Sequence, residues 1–315
     1  MAARIAVLGD INQDFVMSAE RMPRPGETLI GGELRLAAGG KGANQAVTAA
    51  RLGADVTLIG SLGEDVFGAQ LFENLEREGI DTSFVHRDLE ALTGAAFIAL
   101  APDGENSILC SGGANLAVSP ELVDSAAAAI ERADMLLVQL GVSAESVLRA
   151  MEIANAAGTG VLFDPTPVRA GLDAMWPLST VATPNETEAE TVIGKPAISL
   201  MEAAAAAQWL RDRGVTIAVI KLGAQGALVL DDDGPRQVRG YVVDVVDTTG
   251  AGDAFAAALG TRLAEGAQVD EALAFANAAG AMAASRFGAQ PSLPRRAEVE
   301  ALMAAQESPE RVVAI

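Results

Sequence analysis

The chain has 315 residues, half of them apolar, and its 22 basic against 42 acidic side chains give a net charge of −20. This apolar fraction excludes a disordered chain and suffices for the core of a large α/β domain, whereas the acidic balance argues against nucleic-acid binding. A single cysteine, Cys110, and a single histidine, His86, exclude disulfides and cysteine zinc sites and nearly exclude Ser-His-Asp catalysis.

Short β-branched runs alternate with longer alanine-rich segments of helical period, which predicts a parallel sheet covered by helices. In chain order, strands are predicted at residues 4–8, 56–59, 135–139, 160–163, 216–221 and 227–230. Helices are predicted at residues 41–52, 67–78, 120–131, 144–156, 203–213, 252–264 and 270–286. The apolar run at residues 5–9 is far shorter than a membrane span, and the start lacks a signal-peptide pattern, so we expect a cytoplasmic protein without a membrane partner.

Two segments interrupt this alternation. Residues 15–38 are extended and rich in turns, and residues 93–101 and 106–110 form a second pair of predicted strands around a turn at 102–104. Small sheets inserted into an α/β core commonly cover a site or make a dimer contact, although two surface hairpins without a role are the alternative. Cys110 is expected to be buried as a small residue. No linker divides the chain, which predicts a single domain over residues 1–315.

The strongest chemical signal is the turn Gly250-Ala251-Gly252-Asp253 at the start of a predicted helix. Small residues there leave backbone N–H groups and the helix N-terminus open to an anion. A carboxylate such as Asp253 ordinarily caps a helix start. Beside such an anion site it could also take the proton of a hydroxyl that attacks a phosphoryl group. These residues alone leave both interpretations open.

Polar side chains also follow the first predicted strand and begin the first predicted helix. Asp10, Asn12 and Asp14 come after the carboxyl end of the strand, where open α/β sheets bind ligands. Their carboxylates and amides suit a polyhydroxylated compound. The glycine-rich turn with Lys41 and Asn44 lacks the spacing of a Walker P-loop. Each turn taken alone is also compatible with an ordinary capped turn.

Two more turns with polar side chains lie between the first predicted helix and the turn at Gly250. Asn185 and Glu188 begin a helix, and Glu188 could either face the helix dipole or hold water around Mg²⁺. The turn from Lys221 to Gly226 joins two predicted strands and could accommodate a flat base beside its backbone, or form a plain hairpin.

In this order and spacing the segments resemble the ribokinase-type (PfkB) carbohydrate kinase family over essentially the whole chain. The two signatures are the run from Gly39 to Asn44 and the run from Asp247 to Asp253. The resemblance implies a three-layer α/β/α ribokinase-like sandwich with a mostly parallel central sheet and a small β-sheet lid from residues 15–38 and 93–110. It also implies ATP-dependent phosphorylation of the primary hydroxyl of a pentose, D-ribose to D-ribose 5-phosphate, by a homodimer paired through the lid.

The resemblance further implies a role for each matching position. Asp253 matches the catalytic base, beside an anion hole formed by Gly250, Ala251 and Gly252. Sugar contacts are expected from Asn12, Asp14, Gly40, Lys41, Asn44 and Asp253. Nucleotide contacts are expected from Asn185, Lys221, Gly223, Gly226, Gly252 and Asn277. Glu188 matches a position that binds Mg²⁺ through water, and an activating K⁺ is expected at Asp247, Thr249, Ala284, Gly288 and Ser292.

One position departs from the family pattern. The strand at 135–139 is typically followed by Leu and a sugar-binding glutamate, whereas this chain reads Gln139-Leu140-Gly141. A sugar hydroxyl left unpaired would cost on the order of 1–3 kcal/mol. Either Asp10 or water replaces the missing carboxylate, or the acceptor is another sugar or a nucleoside. A non-catalytic ligand-binding homologue is the remaining alternative, against which Asp253 and its turn argue.

Overall fold

The computed structural model describes residues 2–100, 106–306 and 311–315. The first half contains β1 (Arg4–Leu8), β2 (Asn12–Ser18), β3 (Leu34–Gly39), α1 (Lys41–Arg51), β4 (Asp55–Gly63), α2 (Val66–Arg77), β5 (Asp81–Asp88), β6 (Gly94–Leu100), β7 (Asn106–Ser111), α3 (Pro120–Ser125), α4 (Ala127–Arg132) and β8 (Met135–Val138). The second half contains α5 (Ala144–Ala157), β9 (Gly160–Phe163), β10 (Val181–Ala182), α6 (Glu186–Ile193), α7 (Leu200–Arg211), β11 (Ile217–Lys221), β12 (Ala227–Asp231), β13 (Gly234–Val238), α8 (Ala251–Ala264), α9 (Val269–Ala284), α10 (Arg296–Ala305) and β14 (Val312–Ala314).

Ten strands form the large sheet, in the order β14-β13-β12-β11-β10-β9-β8-β1-β4-β5. The strands from β11 to β5 run parallel, whereas β12, β13 and β14 add antiparallel pairs at one edge. In this sheet β4 lies on one side of β1 and β8 on the other, so the direction of the strand order reverses at β1. Ligands of open α/β sheets bind at such a switch in strand order, beyond the carboxyl ends of the strands.

Helices cover both faces of the large sheet. Neighbouring residues of one strand point to opposite faces. Accordingly, Leu137 packs with Leu259 of α8 in one apolar cluster, and Leu136 packs with Met151 of α5 in the other. Full burial of a leucine contributes about 1.5–3 kcal/mol. The two clusters join the sheet to a layer of helices on each face, which gives the three predicted layers. They also fix the positions of the strand ends that carry the polar residues.

Four strands form a separate small sheet, in the order β3-β2-β6-β7. Asp14, Ala96 and Cys110 are adjacent in its register and lie on its inner face, towards the large sheet. Phe15 and Phe97 lie on the outer face, where their rings stack with centroids 4.9 Å apart. The strands come from the two segments that interrupt the alternation, and the turn predicted at 102–104 lies outside the described residues.

Two details differ from the sequence expectation. The helix predicted at residues 120–131 is divided at Ala126, because Ser125 Oγ donates to the Leu122 carbonyl oxygen at 2.6 Å and so competes with the regular backbone pattern. Cys110 is exposed rather than buried, because its face of the small sheet lines a cavity. Among the described helices, none combines the length and the apolar character that crossing a membrane requires.

Candidate active site

A cavity of about 1030 Å³ lies between the inner face of the small sheet and the carboxyl ends of the parallel strands. Its volume is at the upper end of the range for small-molecule sites, about 300–1,000 Å³. All residues predicted to contact the sugar, the nucleotide or the transferred group line it, namely Asn12, Asp14, Gly40, Lys41, Asn44, Asn185, Glu188, Lys221, Gly223, Gly226, Gly250, Ala251, Gly252, Asp253 and Asn277. Of the residues predicted for K⁺, Thr249 and Ala284 line it as well.

Asp253 lies in the first turn of α8 and is 6% exposed. Its Oδ2 accepts a hydrogen bond from Asn44 Nδ2 at 2.8 Å. Burial raises the pKa of Asp253 to about 6, while Lys41 and the Asn44 hydrogen bond limit the rise. A carboxylate with this pKa is ionised at neutral pH and is more basic than a free aspartate, which suits a general base.

One of the N–H groups predicted for the anion hole at the start of α8 has a partner within the chain. The Ala251 N–H donates to the Thr248 carbonyl oxygen at 3.1 Å, and its contact with an anion stays a prediction. For the Gly252 and Asp253 N–H groups no acceptor is found in the part of the chain that the structure describes, as is usual at a helix start. A Cβ atom on Gly252 would lie 3.6 Å from Lys221 Nζ, so the ammonium group approaches this helix end. Two N–H groups and one cation therefore face the place of an anion.

The end of the cavity predicted to bind the sugar is rich in carboxylates. Asp14 lies directly over Gly39, where a Cβ atom would come within 2.1 Å of Asp14 Oδ2. Burial raises the pKa of Asp14 to about 7, and the carboxylates of Asp10 and Asp253 add to the rise. Asn12 Nδ2 donates to Asp10 Oδ2 at 2.9 Å. These oxygens form a dense set of acceptors for hydroxyl groups.

Asn44 carries the clearest sign of a missing ligand. Its Oδ1 is buried and has no hydrogen-bond partner among the described residues, whereas its Nδ2 is bound to Asp253. An unsatisfied buried acceptor costs about 1–3 kcal/mol. A hydroxyl of a bound molecule would satisfy Asn44 Oδ1 and at the same time lie beside the Asp253 carboxylate.

Asn115 is a site residue that the sequence analysis missed. Its Oδ1 accepts from the Ile11 N–H at 2.9 Å, and its Nδ2 donates to Asn12 Oδ1 at 2.8 Å. Asn115 thus fixes the orientation of the Asn12 amide. The glycine pair Gly112-Gly113 just after β7 was the available signal, since it marks a turn beside the site.

Gly40 brings α1 against the end of β1. Its φ of 89° lies in the left-handed region, and a Cβ atom there would approach the Asp10 carbonyl oxygen to 2.6 Å. The next residue, Lys41, makes no salt bridge with the residues that the structure describes. Burial lowers the pKa of Lys41, but the carboxylates of Asp253 and Asp164 outweigh this effect and keep the group charged. Lys41 is therefore a cation available to a phosphate group.

Lys221 and Asp164 form a buried ion pair in the part of the cavity predicted to bind the phosphates. Lys221 Nζ lies 2.8 Å from Asp164 Oδ1 and 3.9 Å from Glu188 Oε2. Burial by itself would lower the pKa of Lys221, but the two carboxylates outweigh burial, so the pKa is raised overall. Asp164 also accepts from Gln45 Nε2 and Thr183 Oγ1, both at 3.2 Å. Sequence analysis overlooked Asp164, although a carboxylate directly after the buried strand β9 was a signal.

Glu188 has a structural role as well as its place in the cavity. Asn185 Oδ1 accepts from the Glu188 N–H, and Glu188 Oε2 accepts from the Asn185 N–H, both at 2.8 Å. This capping box begins α6. The carboxylates of Glu188 and Asp164 are hard oxygen donors, the type that Mg²⁺ takes. The donor set therefore fits a hydrated Mg²⁺ beside bound phosphates.

The end of the cavity predicted to bind the nucleotide lies between the β11–β12 turn and α9. Gly223 and Gly226 line it with backbone, and Asn277 Nδ2 donates to the Val238 carbonyl oxygen at 2.8 Å. This bond holds the segment that follows β13, whose Tyr241 also lines the cavity. The result is a mainly apolar slot that suits a flat base.

The loop before α8 is fastened to the segment after α9. Asp247 Oδ1 accepts from the Thr249 hydroxyl at 2.7 Å, and Asp247 Oδ2 accepts from the Gly288 N–H at 2.9 Å. The Ala284 carbonyl oxygen accepts the Asp247 N–H at 3.2 Å. The Ser292 hydroxyl donates to the carbonyl oxygen of Ala289 at 2.8 Å, which leaves the lone pairs of its oxygen free. The oxygens of Asp247, Thr249 and Ala284 suit a monovalent cation.

Known proteins are similar to this chain over nearly its whole length. The model of the pfkB family of carbohydrate kinases matches residues 2–296. A ribokinase of Haemophilus influenzae is 40% identical over 95% of this chain and 97% of its own length, and a deoxyribokinase of Salmonella typhi is 35% identical over 92% and 95%. The structure of Arabidopsis thaliana ribokinase with ribose and ATP is similar with a TM-score of 0.86, at 32% identity over 96% of this chain and 99% of that one.

Proposed function

The chain belongs to the pfkB family of carbohydrate kinases and is an ATP-dependent sugar kinase, and we propose that it phosphorylates the primary hydroxyl of D-ribose to give D-ribose 5-phosphate. The observation that carries this proposal is the buried Asp253 carboxylate, bound to Asn44 and adjacent to free N–H groups at the start of α8. The ribokinase relative favours D-ribose. The deoxyribokinase relative, together with Gly141, makes 2-deoxy-D-ribose the second candidate acceptor.

In the proposed reaction, Asp253 takes the proton of the attacking hydroxyl. A positioned base of suitable pKa contributes about 10²–10⁴-fold to the rate. The Asn44 amide holds the carboxylate by one hydrogen bond and orients the sugar by its free Oδ1. The new bond joins the sugar oxygen to the γ-phosphorus while the bond from that phosphorus to the ADP oxygen breaks, so ADP is the leaving group.

The transferred phosphoryl group is stabilised by charge. The Gly252 and Asp253 N–H groups and the Lys221 ammonium face the place where negative charge develops. Lys41 adds a second cation on the sugar side of the cavity. A chain of net charge −20 repels ATP at long range, so these local cations and the helix end must supply the attraction.

Two metal ions are part of the proposal. Mg²⁺ would be held through water near Glu188 and Asp164, and when bound it neutralises phosphate charge. K⁺ would be held by oxygens of Asp247, Thr249, Ala284, Gly288 and Ser292. It would steady the loop that precedes α8.

We further propose that the chain folds as one domain in which the small sheet serves as a lid and pairs two copies. Its outer face presents Leu36, Phe15, Phe97 and Leu109 in one row across the four strands, and Leu36, Phe97 and Leu109 are each more than half exposed. A contiguous apolar face of this kind favours association. ATP as the donor suits a cytoplasmic location.

An acceptor panel tests the proposed function. ADP release is measured with D-ribose, 2-deoxy-D-ribose, other pentoses and hexoses, and nucleosides, with and without K⁺. The proposal expects the highest kcat/KM with D-ribose and stimulation by K⁺. A preference for a nucleoside or a hexose would refute the acceptor, and no turnover with any acceptor would support a binding protein instead.

A further inference from the structure

Asp10 and residue 141 compete for one space in the cavity. A Cβ atom built on Gly141 would lie 2.3 Å from both Cγ and Oδ1 of Asp10 and 2.7 Å from its Cβ. Real Cβ atoms essentially never approach other heavy atoms closer than 3.0 Å. The observed position of the Asp10 carboxylate therefore requires that residue 141 have no side chain. Conversely, Gly141 leaves room for a carboxylate that comes from the other strand.

The Asp10 carboxylate is anchored but not saturated. It is 7% exposed, and its Oδ1 accepts from the Gly42 N–H at 3.1 Å while its Oδ2 accepts from Asn12 Nδ2 at 2.9 Å. An ionised carboxylate has about four acceptor positions, so these bonds leave roughly half of them open. No salt bridge engages Asp10 within the described ranges. The carboxylate lines the cavity beside Asp14 and the unsatisfied Asn44 Oδ1.

We propose that Asp10 accepts a hydrogen bond from a hydroxyl of the bound sugar, and that the Asp10–Gly141 pair determines which sugars the enzyme accepts. This inference rests on the proposed function, because it takes the occupant of this end of the cavity to be a sugar. Two hydrogen bonds fix the position of the Asp10 carboxylate, so it accepts a hydrogen bond from one sugar hydroxyl at one fixed place. A sugar without that hydroxyl leaves an acceptor position of this buried carboxylate unfilled, which weakens its binding.

Deoxy sugars combined with an Asp10 variant test the hydrogen bond. For Asp10→Ser we expect KM for D-ribose to rise on the order of 10–100-fold with KM for ATP unchanged. Among 1-deoxy, 2-deoxy and 3-deoxy analogues of ribose, one should be handled equally by the wild type and the variant, because it lacks the hydroxyl that Asp10 reads. An equal loss on all of these sugars, or no loss on any, would overturn the inference.

Moving the carboxylate from residue 10 to residue 141 tests whether the two side chains compete for the same space. Gly141→Glu alone should raise KM for D-ribose more than Asp10→Ser does, because the new side chain collides with Asp10. In the double variant Asp10→Ser/Gly141→Glu we expect about tenfold or more recovery relative to Gly141→Glu. The matched control Asp10→Asn/Gly141→Glu keeps the volume at residue 10 and should not recover.

Two results keep this test decisive. If Gly141→Glu folds poorly, the thermal midpoint replaces KM, and the serine double variant must regain stability that the asparagine double variant lacks. Additive effects, or equal recovery in both double variants, would overturn the inference. Turnover of the wild type tests the proposed function separately: if another sugar proves to be the acceptor, the same variants and deoxy analogues of that sugar are compared.

Discussion

Asn44 Nδ2 donates to Asp253 Oδ2 at 2.8 Å, which joins the first turn of α1 to the first turn of α8 although the two residues are 209 positions apart. The same amide leaves its Oδ1 buried and without a partner among the described residues. One side chain thus orients the base and offers an acceptor to the molecule that the base deprotonates.

Removal of this amide should change the pH profile. The Asn44 hydrogen bond lowers the pKa of Asp253, so Asn44→Ala should raise that pKa above about 6. Because the base must be ionised, the acid limb of kcat/KM should move to higher pH, by up to about one pH unit. Measured pH–rate profiles of the wild type and the variant check this. An acid limb at the same pH in both proteins would contradict the assigned contact.

Asp14 should lower the stability of the free enzyme at neutral pH. Its pKa is raised from 3.8 to about 7, so between these values the native state binds a proton that the unfolded state has lost. Stability therefore falls as the pH rises through this window. Asp14→Asn should raise Tm at pH 8 on the order of 2–6 °C and weaken sugar binding. At pH 5 the gain should shrink, and thermal melts that show an equal gain at both pH values would refute the assignment.

The Lys221–Asp164 pair should behave as a buried pair rather than as a surface one. Asp164→Ala removes the nearer of the two carboxylates that face the buried Lys221 ammonium, so we expect a loss of up to about 3–5 kcal/mol in the free energy of unfolding. The double variant Lys221→Met/Asp164→Ala should lose less than Asp164→Ala alone, because no buried ammonium remains beside the lost carboxylate. Urea denaturation measures both. A double variant that is less stable than the single one would show that the pair itself stabilises the fold.

Most of the large sheet follows from the sequence, because apolar runs between alanine-rich segments are a strong local signal. The predicted strands coincide with β1, β4, β8, β9, β11 and β12 within a few residues. The four missed strands are short or polar: β10 has two residues and β14 three, β13 contains a proline and two polar side chains, and β5 alternates weakly among charged side chains. Local patterns do not detect strands that only sheet pairing stabilises.

The site residues that belong to a sequence motif were predictable. Those whose role depends on contacts between distant parts of the chain were not. The turn with Asp253 was predicted, but the Ala251 N–H is consumed by a local hydrogen bond that the sequence does not reveal. The relation of Asp10 to Gly141 was left open in the sequence, because it depends on the distance between two strand ends. Asp164 was missed because its partner, Lys221, is distant along the chain.

The most direct test of the account is the substitution Asp253→Asn, which keeps the volume and removes the base. We expect kcat with D-ribose to fall on the order of 10²–10⁴-fold, while the Kd for ATP changes by less than about twofold. The ATP measurement and a thermal midpoint no lower than that of the wild type serve as controls for folding. Single-turnover phosphorylation at the wild-type rate in this variant would contradict the role of Asp253 and with it the proposed mechanism.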